Sequence, residues 1–474
     1  MTAAREPAAT VAAGPATVHA PTLAVPLSFI LFGLACLAGS VLLIILRPSV
    51  LSTYHYNQYV VAATHLALLG WIGSVVFGAL YQLVPVALET RLFSERLAFA
   101  HLLLHLVAVP GMVWSFWQWN LKHVGHWASA FAVGVALLLF NVGWTAVRSR
   151  KWNPVSAGVA CAIGWLMLAV TVGLALAAAK CSYESIERLS ASNPLAITLR
   201  GLEAVALFVA RFDQMSLMHT HAHLGALGCF VLLLMTLSLK LLPMFLLSPA
   251  RSGRRAWWIL ALFNLGLAGL VLTMATRSPW KPLFTGTLLA ALLLYGLEVR
   301  ALLRLRKRLV VDPPLRTFLW SLAVFVPLAA LAAPLSWPGL PLTARTGQLE
   351  NLYGFLAVFG LISAAILGML FKILPFLIWH RVYSGFLGRM RVPNLADMYH
   401  VGLVRVGGAT HVAGGVVVSA GILLPDAATV RWGGVMLAVA VLLHCANYAR
   451  VVSHGLRPRL EPMIRSAEPV LSSP

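Results

Sequence analysis

The chain has 474 residues, of which 60% are hydrophobic and only 10% are charged. A soluble domain carries roughly a quarter of charged residues, so this composition excludes a soluble multi-domain protein, a disordered chain and a disulfide scaffold. The net charge is +21, from 35 Lys and Arg against 14 Asp and Glu. The composition instead predicts an all-α polytopic membrane protein, which has the lipid bilayer as a partner.

The predicted elements are apolar stretches long enough to cross about 30 Å of hydrocarbon. Residues 1–23, rich in Ala, Pro and Thr, predict a disordered tail. A single transmembrane domain is predicted at 24–450, and a second cytoplasmic tail at 451–474. The twelve predicted spans are 24–46, 60–86, 97–118, 127–147, 155–179, 217–246, 256–275, 281–303, 316–335, 349–379, 405–424 and 430–450.

The basic residues are concentrated in the loops that follow the even-numbered spans, as in the run RLRKR at 304–308. The positive-inside rule therefore predicts that both termini are cytoplasmic, in a bacterial-type cytoplasmic membrane. Because this asymmetry accounts for most of the positive charge, we expect no nucleic-acid partner.

Three predicted spans, the second, sixth and tenth, share one sequence pattern. Each has a proline, preceded at offsets of 3, 15 and 20 residues by a polar residue, a glycine and a ring-bearing residue. Because the three spans lie four apart, the pattern predicts twelve transmembrane helices in three pseudosymmetric four-helix units. The matching residues are Gln82, Lys240 and Lys372; Gly70, Gly228 and Gly360; and His65, His223 and Phe355.

The sixth predicted span begins with the run His219-Thr-His221-Ala-His223. Residues two apart on an α-helix point about 200° apart, so His221 and His223 face different neighbours, whereas His219 and His223 share a face. His65 can supply an opposing imidazole across one cleft. Two facing imidazoles suit a heme, so His65, His221 and His223 are candidate heme b ligands and His219 is a candidate metal ligand. Hydrogen bonding to backbone carbonyls is the alternative role for these side chains.

A second group of histidines, in the predicted inner halves of the spans, consists of His101, His105, His411 and His444. The spacing of His101 and His105 suits one metal ion or one heme edge, so all four are candidate metal ligands. Polar contacts between helices are the alternative. The apolar interiors are expected to hold essentially no Asp or Glu, which disfavours proton transport through buried acids.

The twelve spans, the threefold repeat and the outer histidines resemble subunit I of the heme-copper oxidases. The run His221-Ala-His223-Leu-Gly-Ala-Leu-Gly228 is similar to the His-x-His heme segment of C-type oxidases and nitric oxide reductases, as is His65-Leu-Ala-Leu-Leu-Gly-Trp71. The chain also resembles orphan subunit I-like proteins and the NnrS family, which are heme-binding relatives associated with nitrogen oxides. The resemblance implies that His65 is a low-spin heme ligand and that His221 and His223 are heme or metal ligands.

Two features of the oxidases are absent from the sequence. Their His-x-His pair lies on the tenth span, where this chain has Asn351 and Tyr353. Their adjacent His-His copper ligands on the seventh span are also missing, and Trp257 and Trp258 stand at its start. The oxygen-reducing copper–heme centre therefore has no counterpart here, which leaves open whether the chain is an oxidoreductase of this type.

Four functional hypotheses follow. The leading one is a b-type heme protein that carries electrons or binds O2 or NO near the periplasmic face, with a periplasmic cytochrome or copper protein as partner. The second is a transporter or assembly factor for copper or another transition metal, with an outer site at the span-six histidines and an inner site at the other four. The third is a structural subunit, and the fourth is a terminal oxidase or nitric oxide reductase subunit.

Overall fold

The structure is a computed structural model that describes residues 22–87, 90–149, 152–179, 194–249 and 253–462. Most of the two predicted tails lies outside these residues. Within them, twelve helices are long and apolar enough to cross a membrane, as predicted. In order, spans 1 to 12 are Ala24–Leu46, Gln58–Pro85, Glu95–Trp117, Leu121–Arg148, Pro154–Ala178, Gln214–Leu246, Gly253–Ala275, Lys281–Arg304, Pro313–Leu335, Ala344–Phe386, Val401–Leu423 and Ala427–Leu456.

Several spans begin before the predicted residue because a polar residue caps the first turn. The Asp213 carboxylate accepts a hydrogen bond from the Ser216 backbone N–H, at 2.8 Å. The Thr343 hydroxyl accepts one from the Thr346 N–H, at 3.2 Å. Such caps bind backbone N–H groups that have no partner inside the helix. A hydropathy pattern does not detect them, and so it places these helix starts too late.

The twelve spans form a closed ring of three units. Span 4 packs against span 5, span 8 against span 9, and span 12 against span 1, so that each unit contacts the next. Spans 2, 6 and 10 are the most buried of the twelve. The predicted arrangement of three four-helix units is confirmed, with the three repeat-bearing spans on the inside.

Each of the three inner spans contains an eight-residue π-helical segment at the same place in the repeat. The segments are Leu66–Gly73, Leu224–Val231 and Leu356–Ser363. Each begins one residue after His65, His223 or Phe355, the positions 20 residues before the repeat proline. A buried hydrogen bond of 2.9 Å joins the segments of spans 2 and 10. In it, Trp71 Nε1–H donates to Ser363 Oγ. π-Helical turns are rare and frequently lie at functional sites.

A small residue allows each inner span to approach the first span of its own unit closely. A Cβ added at Gly78 would lie 2.9 Å from Pro26 O of span 1, and one at Gly368 would lie 2.8 Å from Pro314 O of span 9. The second unit has Thr236 at the equivalent position, and the glycine is instead on span 5, where Gly158 faces the threonine. The crossing is therefore preserved by placing the small residue on the other helix.

The remaining bounds complete the fold. Within the spans, the α-helical parts are Gln58–His65 and Ser74–Ala87, Leu121–Ser149, Gln214–His223 and Leu232–Leu246, Pro313–Ala323 and Phe325–Leu335, and Ala344–Phe355 and Ala364–Tyr383. Outside them lie α-helices Ser49–Ser52 and Pro194–Val209, and 3-10 turns Ser384–Phe386 and Leu395–Met398. Strands Met390–Arg391 and Glu461–Pro462 pair antiparallel.

Candidate functional site

The histidines of spans 2 and 6 lie at one end of the ring, which we call the histidine end. His65 and His223 are each the last residue of an α-helical part, immediately before the π-helical segment. His219 and His221 lie earlier on span 6. The sequence repeat and the change from α- to π-helical winding thus place the histidines of two different units at the same depth in the ring.

The structure places the rings of His65 and His221, which come from two different units, beside each other and nearly parallel. The centres of their rings are 6.3 Å apart, and the ring planes are inclined by 20°. A metal–imidazole bond measures roughly 2.0–2.1 Å and a ring nitrogen lies about 1.1 Å from its ring centre, so two imidazoles on opposite sides of one ion have centres about 6.3 Å apart. The spacing therefore fits bis-histidine ligation of a heme iron.

Each of these imidazoles is oriented by a hydrogen bond at Nδ1. His65 Nδ1 lies 2.8 Å from the Val61 carbonyl oxygen, and His221 Nδ1 lies 2.9 Å from the Ala169 carbonyl oxygen. Because a carbonyl oxygen only accepts, each Nδ1 carries the proton and each Nε2 keeps its lone pair. Neither Nε2 has a hydrogen-bond partner among the described residues, and both side chains are half-buried, so each ring borders open space. This donor set suits a heme.

Two neighbours fix the rings further. Phe116 packs against the His65 ring, with centres 4.5 Å apart. Gly173 on span 5 lies against His221, and a Cβ at this position would be 2.8 Å from His221 Cε1. The glycine therefore makes room for the imidazole in its observed orientation.

His223 faces a different cleft, as predicted from the helix geometry. Its Nδ1 lies 2.8 Å from the His219 carbonyl oxygen, and its ring is stacked on Tyr353 of span 10, with centres 6.0 Å apart. No second imidazole opposes it among the described residues. His223 is thus brought close to span 10 and not to His65.

His219 belongs to a third arrangement, which the sequence did not predict. Its Nε2 lies 3.0 Å from Nε2 of His55, a residue of the loop before span 2. His55 Nδ1 in turn lies 3.4 Å from a carboxylate oxygen of Glu350 on span 10. The ligand atoms of His55, His219 and Glu350 lie within 4.8 Å of one another, and this is the single such group of three or more among the described residues.

Glu350 lies near the start of span 10, at the histidine end, and so outside the apolar interiors that were expected to hold essentially no carboxylate. Span 10 begins at Ala344, before the predicted residue 349, so Glu350 lies inside the helix and not at its first turn. Burial lowers the pKa of His55, which keeps this imidazole neutral and able to bind a metal at pH 7. Residues 344–351 around Glu350 are mostly polar, so a hydropathy pattern does not mark this acid as part of a buried group.

The second group of histidines forms two pairs in the described structure, and not one cluster of four. His101 and His105 lie on span 3 with ring centres 5.8 Å apart, and the Tyr81 hydroxyl is 3.0 Å from His101 Nδ1. His411 Nε2 lies 2.9 Å from the Phe359 carbonyl oxygen, and His444 Nδ1 lies 2.7 Å from the Ala440 carbonyl oxygen. Span 1 packs against both span 3 and span 12, so it adjoins the helices of both pairs.

One family of known proteins matches about the first third of the chain. Residues 6–155 match the family of cytochrome c and quinol oxidase polypeptide I. The resemblance to subunit I of the heme-copper oxidases is confirmed. The matched residues contain spans 1 to 4, which make up the first unit of this subunit I-like chain. No protein of curated function gives a significant match.

The positions at which the chain departs from the oxidases have other surroundings in the structure. Trp257 and Trp258, at the start of span 7, are 41% and 57% exposed and so face away from the core. Asn351 is buried, and its side-chain amide donates to the carbonyl oxygens of Leu51 and Thr53. Asn351 therefore holds the loop that carries His55, where the oxidases have a histidine ligand nearby on the same span.

Proposed function

We propose that this subunit I-like membrane protein binds one b-type heme between His65 and His221 and transfers electrons. The observation that carries the proposal is the pair of opposed imidazoles, 6.3 Å apart and inclined by 20°. A bis-histidine heme, when bound, accepts and releases one electron without a change of ligands. The match to the oxidase family supports the binding of heme, because members of this family normally bind heme.

The chain's own residues supply the orientation that such a cofactor needs. The Val61 and Ala169 carbonyls hold the two Nδ1–H groups, so both imidazoles present Nε2 without rotating. Phe116 packs against the His65 ring, with centres 4.5 Å apart, and gives this imidazole an apolar neighbour.

Electron transfer is favoured over the binding of O2 or NO because a heme held by both His65 and His221 would have no free position on its iron for a gas. It is favoured over metal transport because, among the described residues, the four inner histidines do not come together as one group of three or more metal ligands. We propose further that the histidine end faces the periplasm, as the basic loops predict, and that a periplasmic cytochrome or copper protein is the electron partner.

The test is the reduced-minus-oxidised absorption spectrum of the purified chain, with an assay for iron. We expect one heme per chain, a reducible Soret band, and no change on adding CO to the reduced protein. His65→Ala and His221→Ala should each abolish the low-spin spectrum and admit CO, because each removes one of the two residues that would hold the heme iron.

His411→Ala is the matched control, because it removes a buried histidine that hydrogen-bonds a backbone carbonyl elsewhere in the ring. Its spectrum should match that of the unaltered chain. A purified protein without heme, or one whose spectrum survives both His65→Ala and His221→Ala, would overturn the proposal.

A further inference from the structure

We propose that His55, His219 and Glu350 form a second site at the histidine end, which binds one divalent first-row transition-metal ion. The three residues come from three separate parts of the chain: the loop before span 2, the first turns of span 6 and the first turns of span 10. Two imidazoles and one carboxylate are the ligand set of many catalytic zinc and non-heme iron sites.

The two imidazole nitrogens have the separation of neighbouring ligands on one ion. His55 Nε2 and His219 Nε2 are 3.0 Å apart. An ion placed roughly 2.05 Å from both would be bound at an angle of about 94°, close to the right angle of octahedral coordination. One ligand atom from each of His55, His219 and Glu350 lies within 4.8 Å of those of the other two residues, so one ion can contact all three and keep further positions open.

The loop that carries His55 is fixed in place before any ion binds. The Asn351 amide donates to Leu51 O at 3.1 Å and to Thr53 O at 2.6 Å, and so ties the loop to the residue beside Glu350. The two hydrogen bonds of Asn351 therefore hold the loop of His55 next to the helix turn that carries Glu350. Such fixation lowers the entropy that an ion must offset in binding.

A hydrogen-bonded chain from Glu350 through His55 to His219 is the alternative role for these residues. In that chain His55 Nδ1 would donate to the carboxylate, but the two atoms are 3.4 Å apart, and the buried nitrogen has no hydrogen-bond partner. Nδ1 therefore lacks the hydrogen bond that this alternative requires, and an unpartnered buried nitrogen costs free energy.

This site is separate from the proposed heme site although both use span 6. His219 and His221 are two residues apart and point to different sides of the helix. His219 meets His55, with ring centres 5.2 Å apart, whereas His221 meets His65. The loss of one site therefore need not remove the other.

The experiment is equilibrium dialysis of the full-length purified chain against Co(II), followed by elemental analysis and by absorption at the cobalt K-edge, where iron does not interfere. We expect one equivalent of bound cobalt, with imidazole in its coordination shell. His55→Ala and Glu350→Ala should each weaken binding at least tenfold and leave the heme spectrum intact, which also shows that the variants are folded.

A control variant, His123→Ala with His126→Ala, removes an exposed histidine pair whose ring centres are 6.1 Å apart and which could bind cobalt adventitiously. Cobalt binding should persist in it. A further variant, Lys281→Gln, removes a cation near Glu350 and His219 and should tighten binding roughly five- to tenfold. Binding that is absent, or equally strong in His55→Ala and Glu350→Ala, would overturn the metal site. The heme proposal fails separately, through His65→Ala.

Discussion

Three histidines within five residues of span 6 lie in three different environments. His219 meets His55, His221 meets His65, and His223 meets Tyr353. The separation of His221 from the other two follows from helix geometry, since a shift of two residues turns a side chain by about 200°. For this reason the sequence could predict that His221 and His223 face different clefts. His219 and His223 share a face one turn apart, and they meet different residues because their neighbours change along the helix.

What the sequence could not predict at this scale is the group formed by His55 and Glu350. His55 lies in a loop, and its distance from His219 depends on how spans 2, 6 and 10 meet. No local periodicity contains that information. Histidines in apolar spans are conspicuous because they are costly there, whereas a loop histidine is unremarkable until the fold is known.

Gly173 gives a prediction for a single residue. Gly173→Ala places a methyl group 2.8 Å from His221 Cε1, so we expect overpacking that costs about 1–3 kcal/mol and displaces the imidazole. The heme content at equal protein concentration should fall several-fold, as measured by the pyridine hemochrome assay. Gly164→Ala on the same helix is the control, because no atom lies within 4 Å of its added Cβ. Equal heme contents in the two variants would contradict the proposed role of His221.

The inner spans repeat one construction three times. An α-helical part, an eight-residue π-helical segment and a second α-helical part follow in the same register in spans 2, 6 and 10. The sequence offsets predicted the threefold relation of these helices. They did not predict the π-helical winding, because a hydropathy pattern does not distinguish a π-helical segment from an α-helix.

In the second unit the glycine at the helix crossing lies on span 5 and not on the inner span 6, which gives a prediction for this pair of helices. Gly158→Ala should destabilise the protein by about 1–3 kcal/mol, because the methyl group meets the Thr236 side chain. Adding Thr236→Gly should recover most of this loss, since it reproduces the arrangement at Gly78 and Gly368. Thermal unfolding of the four proteins in one detergent forms a double-mutant cycle. Additive effects of the two substitutions would contradict the interpretation.

The whole molecule is a ring of three related units, of which the first coincides with the match to the oxidase family. Composition and hydropathy were sufficient to predict twelve spans, because a membrane leaves few alternatives to helices. They could not decide what the histidines bind. That depends on distances between units, such as the one between His65 and His221.

The orientation of the ring gives a prediction for the whole molecule. We expect both termini in the cytoplasm, since the loops after even-numbered spans carry most of the basic residues. A C-terminal fusion to green fluorescent protein should fluoresce, and a C-terminal fusion to alkaline phosphatase should be inactive. Phosphatase inserted after Arg277, between spans 7 and 8, should be active. The reverse pattern would place the histidine end in the cytoplasm.

The central claim is that His65 and His221 would together hold the iron of one heme. Electron paramagnetic resonance of the oxidised protein tests it most directly, because the signal reports both ligands at once. The 20° angle between the rings predicts a rhombic low-spin ferric signal. His65→Gly and His221→Gly should each lose this signal, and added imidazole should restore it. A signal that persists in both variants, or a chain without low-spin ferric heme, would contradict the account.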